Sequence, residues 1–242
     1  MPFGARLGAI DAVATRRAAA MRWADRDDPR LCHEELGGGA PTFTLREQLA
    51  LTHLAWGTRL VYGHVLLSDR IATAAERCGY GVVTMMRCPV ERTLSNYMMA
   101  ARAGIVPTDI DAWLDSAVAV RMGAQALRYL SGRAEPLFEA RALDVARALD
   151  RIAALDLVGF LDAPDVFRRS FARQFGQAPS LSRLNRAKME APVLTKAQAR
   201  RLEEITAVDR LLYDEARRIF LAGDTRSAER AHVPAALEGT AA

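Results

Sequence analysis

Residues 81–102 read GVVTMMRCPVERTLSNYMMAAR, and this stretch decides the fold class. Residues 81–86 form a short apolar run between a glycine and Arg87-Cys88-Pro89, the pattern of a buried strand. A helix is expected at once, because Pro89 suits a first helical turn, where its missing N–H costs nothing. On that helix Val90, Leu94, Tyr97 and Ala101 share one face and are expected to pack on the sheet. Arg92, Ser95 and Asn96 lie on another. A strand that runs straight into a helix is the beginning of a parallel α/β unit.

Residues 155–160, LDLVGF, read as a second buried strand, and residues 59–62 as a short one ending at Gly63-His64. The rest is helical. Residues 5–24 place Leu7, Ile10, Val13 and Ala14 on one face. Residues 37–41 are a loop, after which Thr44 caps a short helix with Glu47 in capping-box spacing. Residues 68–78 form a helix stopped by Gly79, and residues 109–130 one with a break near Gly123. Residues 139–153 repeat Leu143, Ala146, Leu149 and Ile152 at helical spacing. Residues 165–175 end at Gly176. Residues 180–192 are a basic loop, and residues 195–221 a long helix with Leu202, Ile205, Leu212, Ala216 and Ile219 inward. With no repeat and no linker, the expectation is one helix-rich α/β domain over residues 1–222 with a small parallel sheet, and a flexible tail over residues 223–242.

Composition narrows the function. The 242 residues are half hydrophobic and 26% charged, which fits a packed core. The 33 basic residues include only two lysines, Lys188 and Lys196, so 31 are arginines. An arginine-for-lysine and alanine-rich bias reflects a GC-rich, bacterial coding sequence. The net charge of +4 is therefore a poor argument for a nucleic-acid partner, and no helix-turn-helix, RNP or zinc pattern accompanies it. Neither lysine sits in a Walker-type loop. Cys32, Cys78 and Cys88 are scattered and odd in number, which argues against a disulfide framework or a zinc site. No apolar run approaches the ~20 residues that span a membrane, so an integral membrane segment is not expected and the cytoplasm is the default location.

Chemistry is expected beyond the carboxyl end of the 81–86 strand, where ligands of α/β sheets bind. Arg87 stands there with a fork that can grip a phosphate bidentately. Arg87 and Ser95 meet on one phosphate only if the strand end folds back toward the helix. His64 carries the side chain best suited to proton transfer near neutral pH.

These residues resemble a family. Arg87-x-Pro89-x-x-Arg92-x-x-Ser95-x-Tyr97 is similar to the R-D-P-x-x-R-x-x-S-x-Y motif of sulfotransferases, which use 3′-phosphoadenosine 5′-phosphosulfate (PAPS). The carbohydrate branch, related to heparan sulfate 2-O-sulfotransferases, is the nearest in pattern. Residues 61–64 (VYGH) resemble its Gly-His element. Residues 156–161 (DLVGFL) resemble its D-F-V-G-L strand, and residues 183–188 (RLNRAK) its Asn-containing basic loop, in the same order. The likeness spans residues 32–220. It implies a P-loop-NTPase-like three-layer α/β sandwich. Arg87 and Ser95 would bind the 3′-phosphate. Asn185, Arg186 and Lys188 would close over the nucleotide, and His64 would act as general base toward a hydroxyl of a carbohydrate or other small acceptor. No metal is implied.

Two departures temper the likeness. Cys88 stands where the family has Asp. The family also opens with an apolar strand and a P-K-x-G-x-T-S-L loop that holds the 5′-phosphosulfate. This chain opens MPFGARLGAIDAV, so the first strand is expected to be missing and no lysine lies in residues 4–10. Two expectations follow: an active sulfotransferase, or a truncated or degenerate relative that binds nucleotide or a partner without catalysis. A sheet edge left open by a missing strand leaves room for an oligomer.

Overall fold

The computed structural model describes residues 40–133, 140–179 and 192–221. They form a helix-rich α/β unit with a two-stranded parallel sheet. In chain order the elements are α1 (Ala40–Ala55), α2 (Asp69–Arg77), β1 (Val83–Met86), α3 (Pro89–Arg102), α4 (Ile110–Leu114), α5 (Ala117–Gly123), α6 (Gln125–Ser131), α7 (Ala142–Ala154), β2 (Leu157–Phe160), α8 (Pro164–Phe175) and α9 (Lys196–Phe220). β1 and β2 pair in the register Val83–Leu157 to Met86–Phe160. Asp156 extends the ladder by accepting the Val82 N–H at 2.7 Å. Among the described residues no helix is long and apolar enough to cross a membrane.

Strand alternation divides the core. Leu157 and its partner Val83 face Phe167, Phe171 and Phe175 of α8. Val158, Phe160 and Met86 point the other way, into Leu127, Leu130, Ala148, Ile152, Leu212 and Ala216 of α6, α7 and α9. Helices therefore cover both faces of the sheet. Gly159 is required at its position: a Cβ there would lie 2.2 Å from the Met85 sulfur and 2.5 Å from the Phe167 ring.

Several expectations need correction. Residues 59–62 are not a strand; among the described residues β1 and β2 have no further partner to pair with. The helix expected to be capped by Thr44 begins at Ala40, so Thr44 is interior, and Glu47 instead accepts from Ser68 and Arg70. The single helix expected over 109–130 is three, because Ser116 caps α5 as well as the chain breaking after Gly123. α7 turns a different face inward. Leu143 is 69% exposed, whereas Asp144, Ala148, Arg151 and Ile152 are buried. Of the apolar repeat, Ile152 is wholly buried and Leu149 packs on the core, but Leu143 and Ala146 fall outside the contact face because positions three apart drift around a helix of 3.6 residues per turn. The helix expected over 5–24 and the tail lie outside the described residues.

Buried ions join these helices. Asp209 of α9 is wholly buried and accepts from Arg92 Nη2 of α3 at 2.6 Å, from Ala126 N at 2.7 Å and from Leu127 N at 2.8 Å. Ala124, the residue before α6, gives no side-chain cap, so Asp209 supplies the cap from another helix. Burial pushes the Asp209 carboxyl upward, against the pull of Arg92 and the two N–H donors. Arg151 of α7 similarly donates to the Leu67 and Leu130 carbonyls and to Asp69.

Asp144 is the third buried ion. Burial pushes its carboxyl up, but hydrogen bonds from Arg133 (2.6 Å) and Arg141 (3.1 Å) hold it below the ordinary carboxylate range. The stabilisation it contributes is complete above the unfolded value of about 3.9 and is lost as pH falls through the lower folded value. Two predictions follow from these ions. Asp209→Asn leaves the Arg92 charge uncompensated and lowers stability by about 3 kcal/mol in urea unfolding. Asp144→Asn flattens the acid limb of a stability-against-pH curve below about pH 4 relative to the native chain; an unchanged limb excludes this assignment.

Candidate functional site

Both parallel strands end at one edge of the sheet, and each leads into a helix that begins with proline. Past β1 come Arg87 and Cys88, then α3. Past β2 come Leu161, Asp162 and Ala163, then α8. α9 adds side chains to this edge. Arg217 donates to Asp162 at 2.6 Å and to the Tyr213 hydroxyl at 2.9 Å, with its guanidinium 5.3 Å over the Phe160 ring. Burial raises the Tyr213 phenol above its ordinary range. The Cys88 thiol lies close enough to act electrostatically on Tyr213 and on Arg210, which pairs with Asp214 one turn away. None of these α9 residues stood out in the sequence, where their i,i+4 spacing reads as an ordinary solvated helix face.

The motif residues separate into structural and available ones. Pro89 is the first residue of α3, and Tyr97 is buried, stacked on Trp113 at 4.3 Å with its hydroxyl donating to the Thr108 carbonyl at 2.6 Å. Arg92 was expected on a polar face. It faces the interior instead, held by Asp209 and by the Gly123 carbonyl at 3.3 Å. Asn96 likewise bonds Gln125 at 2.8 Å, and Thr93 is wholly buried, so α3 is packed on more sides than its apolar stripe alone implied. Arg92 and Tyr97 thus hold the helix in place.

Arg87 and Ser95 remain. The Arg87 side chain is 39% exposed and turns along α3, where its Nε donates to Glu91 at 3.2 Å. Glu91 and Ser95 are four residues apart and share a face. Arg87, Glu91 and half-buried Ser95 therefore follow one another along a single edge of α3. Only the Arg87 side chain reaches back along the helix, as far as Glu91. Glu91, a carboxylate, sits between the two groups expected to meet on a phosphate, and it takes one of the five N–H donors of Arg87.

His64 stands elsewhere. It is exposed, in a stretch without helix or strand, and its ring lies 6.3 Å from the Tyr129 ring of α6. Among the described residues no hydrogen bond, ion pair or ring contact joins His64 to Arg87 or Ser95. Asn185, Arg186 and Lys188 lie outside the described residues.

The chain was compared with protein-family models, with curated proteins and with solved structures, and it matches none of them. The site is therefore read from its own chemistry.

Cys88 occupies the residue before α3 and makes no side-chain hydrogen bond to the helix. An aspartate there would accept from the first-turn N–H groups and sit beside Arg87 and Arg210. Cys88→Asp is expected to stabilise the protein by about 1 kcal/mol in thermal or urea unfolding. A loss of stability would show that the thiol is needed for packing.

Proposed function

We propose that this chain is a PAPS-dependent sulfotransferase built on a P-loop-NTPase-like three-layer α/β sandwich. The observation that carries the proposal is the edge of α3 that bears Arg87, Glu91 and Ser95 immediately beyond a parallel strand. It supports the reading because a guanidinium fork just before a helix, with a hydroxyl about two turns along the same edge, offers donors that suit a phosphate monoester. The helices on both faces of the sheet agree with the sandwich, as does the D-L-V-G-F strand paired beside the motif strand.

In this reading Arg87 and Ser95 bind the 3′-phosphate, and Glu91 gives up Arg87 when nucleotide enters. An acceptor hydroxyl of a carbohydrate or similar small molecule attacks sulfur in line. The bond from sulfur to the bridging phosphate oxygen breaks, the hydroxyl proton passes to the His64 imidazole, and adenosine 3′,5′-bisphosphate leaves. Asn185, Arg186 and Lys188 are assigned to closure over the nucleotide on the motif likeness alone.

A second reading is a nucleotide-binding relative without turnover. It is favoured by the separate settings of the two groups: His64 sits beside Tyr129, whereas Arg87 sits on Glu91.

Titration calorimetry with adenosine 3′,5′-bisphosphate tests both. Binding is expected to weaken about 10-fold or more in Arg87→Ala and to tighten in Glu91→Gln, which removes the competing charge. His64→Ala should keep binding and lose sulfuryl transfer by about 100-fold. No binding heat with the intact chain would falsify the nucleotide site. Binding without transfer to any acceptor favours the second reading.

A further inference from the structure

Away from the strand ends, α1 is apolar on both of its faces. Phe43, Ala50 and Leu54 are buried, and Phe43 packs edge-on against Tyr129 of α6 at 5.7 Å. On the other side Leu45, Leu49 and Trp56 are 42%, 41% and 75% exposed. Trp56 continues the helical line, because its N–H donates to the Thr52 carbonyl at 3.0 Å. At 3.6 residues per turn the exposed positions from Pro41 to Trp56 fall within one arc of about 140°. The helix stops at Gly57, whose φ of 65° suits glycine, and the Thr58 N–H closes the end on the His53 carbonyl at 3.0 Å. Val61 then packs on the cluster of Ala50, Leu54, Ile71 and Ala75, which keeps exposed Leu60 and Tyr62 beside the end of α1.

The exposed arc of α1 carries no charge. Arg46 and Glu47 lie off it and are partly buried, with Arg46 over the Phe43 ring and Glu47 held by Ser68 and Arg70. Every other described helix of nine residues or more turns charge to water. Arg70 of α2, Arg102 of α3, Arg147 of α7, Arg168 of α8 and Arg200 of α9 are all exposed. In a chain that is 26% charged, the outer face of α1 is therefore set apart from the rest of the helical surface.

A helix that is apolar all round belongs in an interior, and a contiguous apolar patch on a surface marks a place of contact. The charge pattern selects the occupant. A strongly acidic or basic partner finds no complement on this arc. A second copy of the chain meets no repulsion there, because an uncharged face is compatible with itself, as a two-fold interface requires. The size agrees. Leu45, Leu49, Trp56, Leu60 and Tyr62 together expose on the order of 500 Å². Two copies therefore cover on the order of 1,000 Å², which is where specific interfaces begin.

We propose that α1 is a dimerisation helix, which packs antiparallel across a two-fold axis on α1 of a second copy of this chain. Leu49 stands next to the middle of the stripe and so beside the axis. The antiparallel arrangement sets Leu45 opposite Thr52 of the partner subunit and Trp56 opposite Pro41 of the partner subunit, so that the largest side chain meets a small one. It also opposes the two helix dipoles. An interface of this size makes a weak dimer that dissociates in the micromolar range. The dimer does not depend on the nucleotide reading, since it shares no residue with the Arg87 edge.

The test is sedimentation velocity of the full chain from about 1 to about 200 μM, over which monomer should give way to dimer. Leu49→Glu sets two carboxylates face to face at the axis and should weaken association about 10-fold or more, as should Leu49→Lys with two ammonium groups. An equimolar mixture of these two variants should regain the dimer, because opposite charges then meet. Leu211→Glu, at an exposed leucine of α9, should leave association unchanged. Leu49 is exposed in the single chain, so its variants should fold, which circular dichroism checks; if they do not, Trp56→Gln decides by the same loss of association. Three results overturn the proposal: a monomer at every concentration, a dimer indifferent to Leu49→Glu or to Trp56→Gln, or Leu49 variants whose mixture stays monomeric. The first of these gives the face to residues 1–39 or to another molecule.

Discussion

One carboxylate organises the structure around the sheet. Asp209 lies in the middle of α9 and receives three donors, one from the guanidinium of α3 and two from the first turn of α6. The short helix α6 has no cap of its own, and α3 carries the residues that follow the first strand. Removing the carboxylate therefore does more than break an ion pair. It leaves two helix N-terminal N–H groups without acceptors and the Arg92 guanidinium without its counter-charge, and each such loss is expensive. The direction in which α3 presents Arg87, Glu91 and Ser95 rests on this junction, as does the position of Arg128 and Tyr129 on α6.

Arginines are held in two physically different ways in this structure. At the strand ends, Arg87 is laid along its own helix and shares its charge with Glu91. That is a local arrangement, set by residues four apart on one helix. Where α1 meets α6, Arg46 and Arg128 come from two elements and lie about the Phe43 ring. There the charge is partly buried and the neighbours repel it. In the first region the charge is offset by a carboxylate one turn away; in the second, like charges are held together by the packing of Phe43 on Tyr129.

Elements with a strong local signal were legible. The apolar runs before Arg87 and Asp162 became the two strands. Pro89 and Gly176 marked real helix ends, and the long helix expected from residue 195 begins at Lys196 behind its Thr195 cap. Readings that relied on apolar spacing did less well. The α7 repeat pointed to Leu143, whereas the buried face carries Asp144 and Arg151, two residues that composition would place in water. α3 was given a polar face because Arg92 and Asn96 are polar, yet both turn to groups well along the chain, Arg92 to Asp209 and Asn96 to Gln125. A residue pattern records hydrophobicity, and a buried ion is invisible in it until its partner is located.

The local chain chose the parallel strands, the strand–Arg-x-Pro–helix unit and the ends of most helices, because these depend on neighbours within a few residues: a proline that fits only a first turn, a glycine that accepts a left-handed stop, an apolar run too short for a helix. Packing across the chain chose the rest. It turned Arg92 inward to Asp209, 117 residues away, set His64 beside Tyr129, and drew Arg46 and Arg128 onto one ring. Each of these depends on a charge or a donor finding its partner in space, and such partners follow from how helices pack rather than from how residues are spaced.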